Sequence, residues 1–275
     1  MAKLLYGEPV AKNIEENVKL HTSVVNRVYK LCVVSVGKDP ASEIYVRNKG
    51  KAAERCGIVF EHVILDESIS EKELIDKIVS IKNDVIFPDT KIIVQLPLPK
   101  HINTDNILNL IDPDIDVDGF HPENIGKLML NLPCYESCTP AGVMQILKYY
   151  DIPVEGKNCV VIGRSNMVGK PMAAMFTNAN GTVTLCHSKT KDLKMYTQNA
   201  DILVVAMGQP EFIDHTYVKR DAVVIDVGIH RKDGKIVGDT RQDGIMMDKV
   251  KAITPVPGGV GKTTVAMLMH NVVSK

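Results

Sequence analysis

Val160-Val-Ile-Gly163-Arg-Ser-Asn-Met-Val-Gly169-Lys-Pro171 is the stretch that decides the fold. An apolar, β-branched run ends in a glycine-punctuated turn, and beyond the turn the pattern becomes helical. A strand passing through such a turn into a helix gathers backbone amides and a helix N-terminus at one point, where a pyrophosphate can be held. Gly163, Arg164 and Ser165 are therefore candidate nucleotide contacts. The spacing departs from G-x-G-x-x-G, because Ser165 stands at the second glycine and Gly169 falls one residue late. A nucleophilic Ser165 is a poor reading, since G-x-S-x-G needs glycine where Met167 stands.

Outward from this point the same grammar repeats in both directions. Toward the C-terminus, strands are expected at 158–163, 182–187, 202–207 and 223–228, with a helix over 168–178 and a shorter one between the second and third strands. Toward the N-terminus, strands at 31–36, 58–65 and 91–95 alternate with helices over 41–56 and 71–82. The stretch from Leu96 to Pro140 is loop-rich with short helices, and 141–150 reads as a longer one. Two α/β domains with parallel sheets follow. One covers 1–138 and takes back a C-terminal segment of about 255–275, whose helix spans roughly 261–274; the other, Rossmann-like, covers 139–254.

Composition agrees with a folded chain: of 275 residues 45% are hydrophobic and 24% charged. The 33 basic and 33 acidic residues cancel without long runs of one sign, so nucleic acid is not an expected partner. No cationic start precedes an apolar stretch, and no apolar run approaches the ~18 residues of a membrane span, so the cytoplasm is the expected compartment. The six cysteines are scattered, several within strand-like apolar runs, as suits buried free thiols. Cys134 and Cys138 lack C-x-x-C spacing and a second ligand pair, and no metal site is expected.

The end of the second strand of the nucleotide half sets cofactor choice. An NAD site carries an acidic residue there, whereas this chain reads His187-Ser188-Lys189. Ser188, Lys189 and Arg164 offer donors or charge to a 2′-phosphate, which favours NADP.

In the first half, Tyr45 and Lys49 stand four apart on an expected helix, which puts a phenol and an ammonium on one face. Alone, Y-x-x-x-K is more often a surface tyrosine beside a solvated lysine. Short-chain dehydrogenases use the same pair, but after their nucleotide motif; here it comes first, and that likeness fails. Six ordered blocks provide a better frame: 41-Ala-Ser-Glu-Ile-Tyr45-Val-Arg-Asn-Lys49, Val94-Gln95-Leu96-Pro-Leu-Pro99, Asp116-Val-Asp118-Gly119-Phe120, Cys138-Thr-Pro140, Gly163-Arg-Ser165 and Thr254-Pro-Val-Pro257-Gly258-Gly259-Val260-Gly261. Together they closely resemble the bifunctional methylenetetrahydrofolate dehydrogenase/cyclohydrolase family.

The resemblance implies an N-terminal α/β catalytic domain and a C-terminal Rossmann-like parallel-sheet NADP domain, with a cleft between them. It implies oxidation of 5,10-methylenetetrahydrofolate by NADP⁺ and hydrolysis of the methenyl product to 10-formyltetrahydrofolate. Tyr45 would orient the folate, Lys49 would be the catalytic group, Gln95 beside Leu96 would tune it, and Asp118 would bind the pterin. Pro257, Gly258, Gly259, Val260 and Gly261 would approach the substrate, and Ile229 the cofactor. A homodimer formed through the nucleotide domain is also implied. The chemistry suits these residues: the hydride step needs only positioning, while hydrolysis needs proton handling, which an amine near a cationic intermediate can supply. A carboxylate such as Asp118 accepts from the donors of a pterin, although an aspartate before Gly119 also suits a plain turn.

The chain departs from the family pattern in places. Lys262-Thr263 replaces the usual Pro-Met, creating Gly-Gly-Val-Gly-Lys-Thr-Thr, which looks like a phosphate-binding loop. The full pattern would need glycine at Val256 and a nucleotide-binding domain beyond, so ATP is not an expected ligand. Lys262 would instead put a charge near the folate's glutamate tail. Ile115 and Thr240-Arg241 also depart from the pattern. A dehydrogenase without hydrolase activity, and a nucleotide-binding regulatory protein without catalysis, are the competing readings; the full set of Tyr45, Lys49, Gln95 and Asp118 argues against both.

Overall fold

A computed structural model describes residues 1–38, 40–87 and 90–274, so Lys275, the end of the expected C-terminal segment, lies outside the described residues. The chain opens on strand β1 (Lys3–Leu4) and helix α1 (Gly7–Val24). It then alternates: β2 (Lys30–Val36), α2 (Pro40–Arg55), β3 (Val59–Leu65), α3 (Glu71–Lys82) and β4 (Lys91–Val94). Three helices follow, α4 (Thr104–Leu110), α5 (Pro122–Met129) and α6 (Cys138–Tyr149). The second series is β5 (Asn158–Ile162), α7 (Gly169–Asn178), β6 (Thr182–Cys186), α8 (Leu193–Thr197), β7 (Ile202–Val205) and β8 (Val223–Asp226). A hairpin of β9 (His230–Lys232) and β10 (Lys235–Val237), then α9 (Gly244–Lys249), β11 (Ala252–Ile253) and α10 (Val260–Val273), complete the chain.

These elements form two compact units. One comprises Lys12–Lys127, Pro133–Glu136 and Val265–Lys275; its parallel sheet has the order β3-β2-β4. β2 is buried over six of its seven residues, as expected for a central parallel strand covered on both faces. Cys32, Val34, Ile92 and Val94 pack with Leu74 and Ile78 of α3 and Ile107 of α4. A capping box starts α3: the Ser70 hydroxyl accepts from Glu73 N, and the Glu73 carboxylate accepts from Ser70 N.

The other unit comprises Met1–Ala11, Leu128–Leu132 and Ser137–Thr264. Its sheet is parallel throughout, in the order β1-β11-β8-β7-β5-β6. Numbered from β5, the strands run 2-1-3-4-5, a doubly wound order whose switch point lies between β5 and β7. β7 and β8 are buried along their whole length, and their side chains join the core of Val160, Ile162, Leu203, Val205 and Val224.

Two features differ from the expected boundaries. Met1–Ala11 belongs with the nucleotide-type sheet, because β1 pairs with β11 through Lys3↔Ala252 and Leu4↔Ile253. The C-terminal segment is divided: residues to Thr264 stay with that unit, and only Val265 onward joins the first. There Asn271, 4% exposed, donates from Nδ2 to the carbonyls of Val117 at 2.9 Å and Glu136 at 3.0 Å.

No element was expected before Leu31, yet α1 has 18 residues. Its buried Val10, Ile14 and Val18 recur at helical spacing behind Gly7-Glu-Pro9, so the signal was present. β1, β11 and the β9–β10 hairpin have two or three residues each, too few to carry a period.

None of the six cysteines forms a disulfide, and burial pushes the thiols of Cys32 and Cys159 up to about 12 and that of Cys56 to about 11. Among the described residues no helix is long and apolar enough to cross a membrane.

Asn124 of α5 is fully buried and ties three segments together. Its Nδ2 donates to Pro113 O at 2.9 Å and to Asp116 Oδ2 at 3.0 Å, while its Oδ1 accepts from Tyr135 N at 3.4 Å. Asn124→Ala would leave buried polar groups without this partner, and a loss of about 2–3 kcal/mol in urea unfolding is expected.

Candidate active site

Each unit carries candidate site residues just past the carboxyl ends of its parallel strands, where loops can reach a ligand without breaking the sheet.

In the larger sheet, the turns after β5, β6 and β7 enclose a cavity of about 520 Å³. Gly163, Arg164 and Ser165 come from the first turn, His187, Ser188 and Thr190 from the second, Ala206, Met207 and Gln209 from the third; Phe212 and Tyr217 add aromatic wall. Gly163 has φ +113°, and a Cβ there would land on the carbonyl oxygen of Ala206. A Cβ on Gly169 would likewise strike the carbonyl of Gly163, so the late glycine serves close approach of α7 to the turn. The Ser165 hydroxyl accepts from Val168 N at 3.1 Å and Gly169 N at 3.4 Å, closing the turn where a second glycine would otherwise stand. The turn after β6 is held by His187 N donating to Thr190 Oγ1 at 2.8 Å and Thr190 N donating to His187 O at 2.8 Å.

None of the residues lining the cavity is acidic, and exposed Arg164 and Ser188 stand on its wall. The donor set and the glycine cradle fit a dinucleotide, and the missing carboxylate fits one bearing a 2′-phosphate. Lys189 and Ile229 do not line this cavity. Ile229 is 47% exposed and faces position 261, where an added Cβ would lie 3.4 Å from its Cδ1.

In the smaller sheet, Gln95 follows β4, and its backbone N–H donates to Val34 O of β2 at 2.8 Å. Lys49, half-buried on α2, donates from Nζ to Gln95 Oε1 at 3.2 Å, while Gln95 Nε2 donates to Leu96 O at 2.9 Å. With an ammonium on one side and a carbonyl on the other, only one orientation of this amide satisfies both. Tyr45, one helical turn before Lys49, is 44% exposed. Elsewhere in this sheet, burial pushes the His62 imidazole down, and the ring meets Ser35 Oγ at 2.9 Å.

Asp118 is partly exposed, just after Asp116, which is 5% exposed and accepts from His121 N at 2.7 Å as well as from Asn124. Burial pushes the Asp116 carboxyl up, these hydrogen bonds oppose the shift, and the charge of Asp118 adds to it. The structure thus joins Lys49, Gln95 and Leu96 directly.

The segment Pro257–Gly261 lies in the larger unit. Gly258 has φ +112° and accepts at its carbonyl from Gly7 N at 2.8 Å. Lys262 Nζ, the charge expected near the folate's glutamate tail, pairs with Glu8 Oε2 at 3.0 Å, both side chains well exposed. Thr263 and Thr264 donate their hydroxyls back to Val260 O at 2.9 and 3.2 Å, in the first turn of α10. The resemblance to a phosphate-binding loop ends there, since both hydroxyls are turned back onto a carbonyl of their own helix.

Sequence reasoning missed the buried acids behind the nucleotide cavity. Asp226, 1% exposed, accepts from the backbone N–H groups of Gly228, Asp239 and Thr240 and from the Thr240 hydroxyl. Burial pushes its carboxyl up against these hydrogen bonds. The signal available was the pair Asp226-Val-Gly228 and Gly238-Asp239, glycines beside acids at the end of a strand and in the return loop.

Comparison with known proteins agrees with both halves of this description. The model for the tetrahydrofolate dehydrogenase/cyclohydrolase catalytic domain matches residues 5–118, and that for the NAD(P)-binding domain of the same enzymes matches residues 137–275. The chain is 51% identical over 278 aligned residues to the bifunctional protein FolD of Ligilactobacillus salivarius, covering 99% of this chain and 96% of that one. Among solved structures, the Campylobacter jejuni bifunctional enzyme FolD, a methylenetetrahydrofolate dehydrogenase/cyclohydrolase, superposes with a TM-score of 0.95 at 45% identity, covering 100% of this chain and 98% of the other. The Trypanosoma brucei methylenetetrahydrofolate dehydrogenase-cyclohydrolase, solved with NADP and an inhibitor, has a TM-score of 0.92 at 33% identity and covers 99% and 96%. With both domain models matched in order and relatives half identical along nearly the whole chain, this protein belongs to the tetrahydrofolate dehydrogenase/cyclohydrolase family.

Proposed function

We propose that this chain oxidises 5,10-methylenetetrahydrofolate with NADP⁺ to the methenyl cation and hydrolyses that cation to 10-formyltetrahydrofolate, as part of one-carbon metabolism. The observation that carries the hydrolytic half is the Lys49–Gln95–Leu96 chain at the carboxyl end of β4. Family membership and the acid-free cavity after β5, β6 and β7 support the oxidative half.

NADP⁺, when bound, supplies the acceptor for hydride. Gly163, Arg164, Ser165 and Ser188 are assigned to hold it, with Arg164 and Ser188 at the 2′-phosphate; Ile229 is assigned a place near it. Folate chemistry is assigned to the unit that carries Lys49. Removal of hydride from the methylene carbon asks nothing of a protein acid or base, so residues there contribute position and electrostatics.

Hydrolysis adds water to the methenyl carbon, releases a proton and breaks the bond from that carbon to one ring nitrogen. Lys49 is assigned the proton transfers. Gln95 holds the amine through a neutral oxygen, adding no charge that would pin it as an ammonium. Tyr45 orients the folate, Asp118 accepts from the pterin's donors, and Leu96 with Pro257, Gly258, Gly259, Val260 and Gly261 completes the substrate contacts. A homodimer, implied by the family resemblance, and a cytoplasmic location belong to the same proposal; light scattering at twice the mass of one chain would support the dimer.

The first test follows methenyltetrahydrofolate by absorbance. Its formation from 5,10-methylenetetrahydrofolate with NADP⁺, and its enzyme-accelerated decay, are expected together. Lys49→Ala should slow hydrolysis by about a hundredfold or more, the usual size of a general acid–base contribution, and hydride transfer much less. Equal loss of both in folded protein would refute this division of labour. Arg164→Ala should weaken NADP⁺ binding roughly tenfold, one charge-assisted hydrogen bond's worth, and leave NAD⁺ nearly unchanged; unaltered discrimination would remove Arg164 from the 2′-phosphate.

A further inference from the structure

The loop after β7 forms one wall of the nucleotide cavity through Ala206, Met207 and Gln209, yet residues 206–210 contain neither a regular element nor a charged side chain. Its shape is imposed from behind. Asp239, fully buried, directs its carboxylate at this loop and accepts from three successive backbone N–H groups. Oδ2 takes Met207 N at 2.8 Å and Gly208 N at 3.1 Å; Oδ1 takes Gln209 N at 2.8 Å and His230 Nε2 at 2.7 Å. A carboxylate offers about four acceptor sites and no donor, and all of them are used here. Gly208, at φ +71°, provides the left-handed backbone this wrapping turn requires.

The carboxylate is itself held. Asp239 N donates to Asp226 Oδ1 at 3.0 Å, and at Gly228 a Cβ would collide with the Asp239 carboxylate. At Gly238 it would collide with that of Asp226. Two glycines therefore clear the space in which two buried acids stand, one behind the other, with the cavity wall attached to the front one.

We propose that Asp239, with His230 as its fourth donor, is a positioning residue for the nucleotide. It fixes the Met207–Gln209 wall in the shape the bound dinucleotide requires, and touches neither substrate nor cofactor. Because the three amides are committed to the carboxylate, this wall does not donate them to a phosphate; that task stays with the turn at Gly163–Ser165. The proposal rests on reading the cavity as the NADP site.

Substitution should separate this role from general stability. In Asp239→Asn, an amide nitrogen must replace one oxygen. Placed at Oδ1, it can donate to His230 if the ring presents Nε2 as an acceptor, and only Gln209 N–H loses its partner. Placed at Oδ2, it faces two N–H groups. The first arrangement is expected, with the loop loosened and the sheet intact. Hydrogen exchange by mass spectrometry should show the 207–209 amides exchanging at least tenfold faster. Calorimetric titration should show NADP⁺ binding weakened about tenfold, and KM for NADP⁺ should rise with it. Hydrolysis of supplied methenyltetrahydrofolate, which uses no nucleotide, should be unchanged.

His230→Ala tests the same wall without altering the carboxylate. A smaller loss in the same direction is expected, restored by His230→Gln, whose amide can still donate to Oδ1. Faster exchange with unaltered NADP⁺ affinity would overturn the proposal. So would a parallel loss of hydrolysis, affinity and thermal midpoint in Asp239→Asn combined with unchanged affinity in His230→Ala, since Asp239 would then only hold the fold. Wild-type protein that binds no NADP⁺ would overturn the cofactor reading and this inference with it, while the exchange measurement would still report the hold of Asp239 on the loop.

Discussion

Parallel pairing obliges the chain to cross back over the sheet before it can add the next strand, so the turns that leave successive strands collect along one edge. Both units are built from such pairs, and in each the candidate chemistry stands on those turns. Gln95 directly follows β4, Gly163 follows β5, and Met207 lies just beyond β7. The interiors of the strands are free to be uniformly apolar because no functional group is needed there. β5 and β7 carry only Cys, Val, Ile and Leu over their buried lengths, which makes a rigid edge from which short loops can be aimed.

Rigidity at the edge does not by itself define the loops, and the two units deal with this differently. In the smaller unit a side-chain amide does it: Gln95 is caught between Lys49 and the carbonyl of Leu96, so the position of the amine follows from the end of the strand. In the larger unit buried carboxylates do it, because a loop with several unpaired amides needs an acceptor that can take them all. Burying such a group is tolerable only with every acceptor site filled, and Asp226 and Asp239 meet that condition largely through backbone donors, the Asp239 N–H itself serving Asp226. The glycines at 228 and 238 follow as a steric requirement.

Much of the site was legible in sequence because the groups that do chemistry are few in kind and stand in short ordered blocks. Tyr45 and Lys49 share a helix face by spacing alone, and Ser188 in place of an acid could be read without coordinates. For Lys262 the same blocks gave a charge near the substrate loop but no partner for it, and only the fold brings Glu8 of α1 against it, from the far end of the chain. Asp239 escaped notice for a similar reason, since nothing in Gly-Asp-Thr indicates three amides some thirty positions earlier.

The sequence by itself determined what depends on neighbours along the chain: apolar strand cores, helix periods, the glycine turn after β5, the absence of an acid after β6, and the family. Tertiary structure alone decided which segments share a sheet and which groups meet across it. β1 joins β11, Asn271 reaches Val117 and Glu136, and Asp239 gathers the loop after β7. The physical reason is range: a backbone period or a turn is set within a few residues, whereas a ladder of two residues or a four-donor carboxylate acquires its energy from partners that only the folded chain brings within hydrogen-bond distance.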